Sequence, residues 1–349
     1  MIWLTWRQFR VQALTAAAAL AAFAILLAAT GPHLASLYNT SKITGCHGFA
    51  CTTVVNTFLN ELGGPYPVVY LLGIGLILIA PAITGIFWGA PLIARELETR
   101  TFNLAWTQST TRTRWLAVKL TLTGLAAMAV TEALSLIYAW WANPISKAIR
   151  LGIKGGGLPK LFSQGQYSSV IFASHGIVPL GYAAFAFALG TAAGALTRRA
   201  LPAMAITLAV FAAAQLAMPL WIRPHLVPPS HTTASIYAAD EAYGTLTADV
   251  VPGHPGAWIL SSQALNPAGQ SVSTIPAACN NPAAAPGEKG GTSAITPAQC
   301  MQKRGYREAI SYVSTSRYWT LQWTETAIFL ALALALAWFS FWRLGRRRT

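Results

Sequence analysis

Six long apolar stretches divide this chain, and each is long enough to cross a lipid bilayer. They cover residues 12–30, 68–92, 115–141, 168–196, 200–222 and 324–342. About 20 mostly apolar residues span the hydrocarbon layer as a helix. The apolar residues run continuously rather than alternating with polar ones, so helices are favoured over the strands of a closed barrel. We therefore predict an all-α, polytopic fold with six transmembrane helices.

A polar segment of different composition separates the fifth and sixth apolar stretches. Residues 223–318 are rich in Pro, Gly, Ala, Ser and Thr, and they contain ten prolines, which interrupt any long helix. We predict a large, partly ordered extracytoplasmic loop here, with helical residues 301–323 leading into the last span. The chain then divides into residues 1–222 with five membrane helices, residues 223–318 as the loop, and residues 319–349 with the last helix and a basic tail.

Composition and charge agree with a membrane location. Hydrophobic residues make up 54% and charged residues 10% of the 349 residues, and the mean hydropathy is +0.47. A soluble protein of this size is less apolar and more charged. With both termini in the cytoplasm, thirteen Lys and Arg residues lie inside and five lie in short outer loops, as the positive-inside rule requires. We predict a multi-pass protein of the plasma membrane, although the basic, acid-free loop 143–166 is then placed outside.

The four cysteines all fall in predicted outer loops. Cys46 and Cys51 lie in the first outer loop, and Cys279 and Cys300 lie in the last. Disulfides persist outside the reducing cytosol. Two local pairs, Cys46 with Cys51 and Cys279 with Cys300, therefore fit the predicted orientation, and free thiols are the alternative.

The first residues of the chain allow two interpretations. Residues 1–11 place Ile2, Trp6 and Phe9 on one helical face, which is typical of a helix lying in the membrane interface. Trp3 and Trp6 could equally belong to the aromatic belt that anchors a spanning helix.

One acidic residue, Glu132, falls deep inside a predicted span. Ionised side chains are costly at that depth and usually serve a pathway or a buried pair. Glu132 is therefore a candidate pore or gate residue. The alternative is a protonated carboxyl group bonded to a neighbouring helix.

Two glycine pairs have the spacing that lets membrane helices approach closely. They are Gly85 with Gly89 and Gly190 with Gly194. Packing within the chain is favoured over a dimer contact.

A charged elbow, residues 91–119, lies between the second and third spans. Pro91 is predicted to end the second span, residues 92–98 to form a short helix, and residues 99–111 to return the chain to the membrane. The positive-inside rule alone could produce such a solvated basic loop. The charges could also form a docking surface for a cytosolic partner.

The elbow resembles the loop after the second span in permease subunits of type-2 ABC exporters, in an actinobacterial-like form. The resemblance rests on Arg95, Glu96, residues 98–101 and the run WTQSTTRTRWLAVKL at 106–120. It implies a permease that forms a homodimer or pairs with a related permease, and that binds a cytosolic ABC ATPase. The residues that it implies in ATPase coupling are Arg95, Glu96, Glu98, Arg100, Thr101, Arg112 and Arg114. The family usually has Gly where this chain has Arg100.

No motif for catalysis or nucleotide binding occurs in the sequence. GxxxxGK followed by Ser or Thr, HExxH and GxSxG are all missing. We therefore expect a transport subunit without catalytic, cofactor-binding or metal residues, with ATP bound by the partner and with no nucleic-acid partner. A non-transporting membrane sensor or immunity protein is the main alternative, and a membrane-embedded, lipid-linked glycosyl transferase is a further one.

Overall fold

The computed structural model describes residues 2–41, 43, 54–55, 57–58, 61–99, 112–150, 165–236, 251, 253–254, 256–280 and 297–345. Within these residues, six helices are long and apolar enough to cross a membrane. The predicted number of membrane helices is confirmed for the described part of the chain.

The helices are numbered in chain order. They are α1 (Ile2–Thr40), α2 (Tyr66–Ile83), α3 (Ala90–Thr99), α4 (Arg112–Arg150), α5 (Ser169–Ser174), α6 (Val178–Thr197), α7 (Ala200–Ala217), α8 (Ala277–Asn280), α9 (Pro297–Lys303) and α10 (Tyr318–Gly345). A π-helical segment, Thr84–Gly89, joins α2 to α3, and a second one, Met218–Ile222, extends α7. Short 3-10 turns occur at Gly165–Tyr167, Arg223–His225 and Thr315–Arg317.

Three membrane segments differ from their predicted form. The second span does not end at Pro91, because the π-helical segment Thr84–Gly89 continues directly into α3 and the span extends to Glu98. The fourth span is broken between α5 and α6, where Gly176 has a φ of +73°. Residues 2–11 continue α1 without a break, so the first helix has 39 residues.

Helix α6 lies at the centre of the bundle. Of its most apolar 18 residues 78% are buried, against 50% or less in the other five spans. It packs against α2, α3, α4, α7 and α10. Its sequence is rich in Gly and Ala, whose small side chains allow several neighbours to approach one helix.

The closest approach in the bundle joins the two glycine pairs. A Cβ atom on Gly190 would collide with the Gly85 carbonyl oxygen and lie 2.7 Å from the Ala90 nitrogen. A Cβ atom on Gly194 would lie 2.6 Å from the Ala90 oxygen, and one on Gly89 would lie 2.6 Å from the Phe187 oxygen. Packing of both pairs within the chain is confirmed.

Apolar clusters show which parts of the chain share an end of the bundle. Phe9, Trp88, Ile93, Trp115 and Leu344 form one cluster, so the start of α1, helix α3, the start of α4 and the end of α10 lie together. We call this the elbow end. A second cluster, at the opposite end of α1 and α4, contains Leu34 and Trp141 of these helices together with Val69 of α2 and Ile171 of α5.

The loop after α7 contains a β-sheet, so the all-α prediction is wrong there. The strands are β1 (Ser230–Ser235), β2 (Trp258–Leu265), β3 (Ser271–Val272) and β4 (Arg307–Val313). They pair antiparallel in the order β1-β4-β2-β3. Strand β4 occupies residues predicted to be helical. Every second residue of β4 is buried, at Glu308, Ile310 and Tyr312. Because Glu308 is acidic, the sequence does not show the alternation of apolar and polar residues that is typical of a strand.

A disulfide closes the part of the loop next to the sheet. Cys279 of α8 is bonded to Cys300 of α9, with the Cα atoms 5.6 Å apart. The bridge packs with Ile236 and Met301. This predicted pair is confirmed, whereas Cys46 and Cys51 lie outside the described residues.

Aromatic side chains join the sheet to the membrane helices. The rings of Tyr167 and Trp258 stack with their centroids 5.8 Å apart. The Tyr167 hydroxyl donates a hydrogen bond of 2.7 Å to the Ser314 carbonyl oxygen, between β4 and α10. Burial raises the pKa of the Tyr167 phenol above its usual range, so this donor stays neutral.

A buried ion pair fastens α7 to α10 below the sheet. Arg223 Nε donates to Glu325 Oε2 at 2.9 Å, and a second guanidinium nitrogen donates to Oε1 at 3.0 Å. The two side chains are 1% and 0% exposed. The Tyr182 hydroxyl also donates to Oε1, and the guanidinium lies 4.2 Å from the centroid of the Phe172 ring. The bidentate geometry and the extra donor compensate for the cost of burying both charges.

One turn earlier on α10, Gln322 holds the break between α5 and α6. Its Oε1 accepts hydrogen bonds from the backbone nitrogens of Ile177 and Val178, at 3.1 and 3.3 Å. Its Nε2 donates to the carbonyl oxygens of Phe172 and His175. Backbone groups released by a helix break in lipid need such partners, and this side chain supplies four contacts.

Replacing Glu325 with Gln should destabilise the protein by about 3 kcal/mol, because the Arg223 cation would stay buried without a counter-charge. The measurement is the thermal unfolding temperature of the purified protein in mild detergent. Glu61→Gln, which changes an exposed acid, is the control and should leave that temperature unchanged. Equal unfolding temperatures for the two variants would contradict the role given to the pair.

Gly190→Ala should also lower the unfolding temperature, by an amount that corresponds to about 1–3 kcal/mol of overpacking. Gly75→Ala is the matched control, since no atom lies within 4 Å of a Cβ atom at that membrane-helix position. A Gly190→Ala variant as stable as the Gly75→Ala variant would show that the helices separate without cost.

Candidate functional site

Helix α3 forms the first part of the elbow and is firmly packed on one side. Ala90, Ile93 and Ala94 are 0–1% exposed, and α3 packs against α6 and α7. Arg95 and Glu98 are exposed. They are three residues apart and therefore lie on one helical face. The elbow thus presents charged side chains on one face while an apolar face fixes it to the bundle.

Glu96 has a partner within the chain. Its carboxylate forms an ion pair with the Lys119 ammonium group on α4. Lys119 is 3% exposed, and its Nζ lies 4.8 Å from the centroid of the Trp115 ring. The sequence placed Glu96 with the docking charges, and this internal contact was not predicted.

Glu98 contacts the beginning of another membrane helix. Its Oε2 accepts a hydrogen bond of 3.4 Å from the backbone nitrogen of Ala200, the first residue of α7. Carboxylates are favoured at helix N-termini because unpaired N–H groups and the helix dipole meet there. The elbow is therefore tied by one acid to α4 and by the next acid to α7.

The remaining predicted coupling residues are only partly described. Arg114 is exposed in the first turn of α4, close to the elbow end of the bundle. Arg112 begins α4, and its side chain is outside the described residues, as are Arg100 and Thr101. The structure brings Arg95, Glu96 and Glu98 onto one short helix, and the coupling role of all seven residues stays a prediction.

The predicted intramembrane acid lies on α4, within a small polar patch. Glu132 is half-buried, and within the described part of the chain its Oε2 and the Oγ1 of Thr131 have no hydrogen-bond partner. One turn along α4, Ser135 donates a hydrogen bond of 3.3 Å to the Ser174 carbonyl oxygen. A pathway role for Glu132 stays a prediction.

The sequence did not predict the buried polar cluster of Arg223 with Glu325 and Gln322. Arg223 began the predicted outer loop and Glu325 lay at the start of the last predicted span, so no pairing was considered. The available signal was a pair of opposite charges at the same predicted membrane level, one just after the fifth span and one at the start of the sixth.

Candidate metal ligands do not cluster in the part of the chain that the structure describes. No three His, Cys, Asp or Glu side chains there are placed to hold a metal ion.

Comparison with known proteins gives one finding. Residues 17–223 match the model of a family described as ABC-2 membrane transporter related. Neither the curated proteins nor the solved structures gave a match. The matched region contains most of α1, all of α2 to α7, the elbow and Glu132, and it covers more than half of the 349 residues. The chain belongs to the ABC-2 membrane transporter related family.

Proposed function

We propose that this protein is the membrane-spanning permease subunit of an ATP-driven exporter and that a separate cytosolic ATPase supplies the energy. The observation that carries the proposal is the geometry of α3, whose charged face is exposed while its opposite face is buried in the bundle. Membership of the transporter family supports a permease. A surface of this kind can receive a partner and pass its movement to the packed helices.

The positions of the chain ends and of the disulfide support the proposed orientation. The start of α1, the elbow and the end of α10 share one end of the bundle. Strand β1 follows the far end of α7, and β4 precedes the far end of α10, so the sheet belongs to the other end. The Cys279–Cys300 bridge near the sheet favours an oxidising compartment. The elbow and both termini are then cytoplasmic, and the sheet is extracytoplasmic.

The contact with the ATPase would be polar. Arg95 and Glu98 carry opposite charges on one exposed helical face, and they can form charge-assisted hydrogen bonds with a groove of complementary charge. When ATP closes the partner, α3 would move with it, and α2, α6 and α7 would receive the displacement through their packing. The resemblance of the elbow to type-2 exporters also implies pairing with a second copy or a related permease. ATP itself would bind to the partner.

Exchanging the two exposed charges, as Arg95→Glu combined with Glu98→Arg, should lower capture of the ATPase subunit about 10-fold or more, since two charge-assisted contacts become repulsive. The measurement is affinity purification of the tagged protein from its native membrane in mild detergent, with quantification of any co-purifying nucleotide-binding subunit. Arg10→Glu reverses an exposed charge on α1 and should retain capture. Undiminished capture by the exchanged variant would remove α3 from the docking surface.

The proposed orientation predicts opposite labelling of two engineered cysteines. In a background with Cys46 and Cys51 changed to Ser, a membrane-impermeant maleimide should label Ser271→Cys, in β3, on intact cells. It should label Glu98→Cys only after the membrane is opened. Both positions are exposed, so access to the side chain does not differ between them. The reverse pattern would contradict the assignment of the elbow to the cytoplasm.

A further inference from the structure

We propose that Glu96 and Lys119 form an internal strut that transmits displacement of α3 to α4 and that Glu96 is not part of the ATPase-binding surface. This inference rests on the proposed function, because it assigns a role within the coupling elbow. It divides three neighbouring charged residues of α3 between two tasks, with Arg95 and Glu98 facing the partner and Glu96 acting inside the permease.

The division follows from the surroundings of the two acids. Glu98 is exposed, and its carboxylate accepts a long hydrogen bond of 3.4 Å from the backbone nitrogen at the start of α7. The Glu96 side chain is 19% exposed, and it pairs with Lys119, whose side chain is 4% exposed. A carboxylate already paired with a buried cation cannot also serve an external partner without leaving that cation uncompensated.

Side chains have to make the link between α3 and α4. The backbone of α3 packs more closely on α6 and α7 than on α4. Ile93 of α3 and Trp115 and Leu116 of α4 belong to one apolar cluster. The ion pair adds a directional contact that fixes the rotation and height of α3 relative to α4.

Lys119 is held in a way that resists separation from Glu96. Its Nζ also lies over the Trp115 ring, which belongs to the same helix one turn earlier. The ammonium group is therefore held against a ring of its own helix and presented to α3. Since a buried cation without its counter-charge is costly, α3 and α4 move together rather than slide apart when α3 is pushed.

The consequence is a branched path for the displacement. The start of α3 packs directly against Gly190 and Gly194 of the central helix α6. Its Glu96 also forms an ion pair with Lys119 of α4, the helix that carries Glu132. Loss of the strut would leave the first branch intact and disconnect the second, so partner binding would survive while coupling falls.

The test compares Glu96→Gln with Glu98→Gln, the same substitution two residues apart. Two quantities are measured on the full chain: the amount of ATPase subunit captured from native membranes, and the rate of ATP hydrolysis per captured complex in liposomes. Glu96→Gln should retain capture and lose hydrolysis about 5-fold or more, which is the usual size of a coupling effect. Glu98→Gln alters the proposed docking surface and should reduce capture.

A second measurement tests the strut without the partner. Thermal unfolding of Glu96→Gln, Lys119→Met and the double variant forms a double-mutant cycle, in which a direct pair makes the combined loss smaller than the sum of the two single losses.

The outcomes separate this inference from the proposed function. Loss of capture in Glu96→Gln would place Glu96 on the docking surface and overturn the strut, leaving the exporter proposal intact. Additive losses in the thermal cycle, or normal hydrolysis in Glu96→Gln, would also overturn the strut. Failure of the unaltered chain to capture any nucleotide-binding subunit would overturn the proposed function and the transmission role with it.

Discussion

The arrangement of this bundle depends on a close contact between the backbones of two segments. One is α6, and the other is the π-helical segment that joins α2 to α3; glycines on both allow the contact. Lipid tails are as apolar as the helices, so association has to come from close van der Waals contact and polar links rather than from exclusion of water. At Gly85, Gly89, Gly190 and Gly194 the two backbones touch almost directly. That contact fixes where the second span leaves the bundle and therefore where α3 projects. The candidate docking charges owe their position to four residues that have no side chain.

Polar contacts occur at both ends of the bundle, and they connect different helices at each end. At the elbow end, Glu96 and Glu98 connect α3 to α4 and α7. At the end that carries the sheet, Gln322 and Glu325 connect α10 to the break before α6 and to the end of α7. Between these levels the helices meet mainly through apolar and small residues. A displacement at one end can then reach the other only along the helices themselves.

Simple repetitive signals in the sequence predicted much of this structure. Length and hydropathy identify the six spans because the bilayer imposes both, and the cysteine positions identify the Cys279–Cys300 bridge because the two residues are close in the chain. The π-helical segments, the break at Gly176 and the partner of Glu96 depend on packing between distant segments, which one sequence does not display. Strand β4 was mistaken for helix because Glu308, a buried acid that accepts a hydrogen bond from Ser262, occupies a core-facing position. The sequence identified the charged residues of the elbow, but it did not show that Glu96 pairs with Lys119 inside the chain while Arg95 is exposed.

The Arg223–Glu325 pair also constrains how the molecule is made. The two residues are 102 positions apart, and the whole sheet is encoded between them. A nascent chain therefore inserts its fifth span long before the carboxylate exists, and until then the guanidinium has to remain with water or lipid headgroups. Arrival of the helix that carries Glu325 supplies the counter-charge and allows the side chain to enter the interior. Formation of this pair is thus the step that locks α7 to α10.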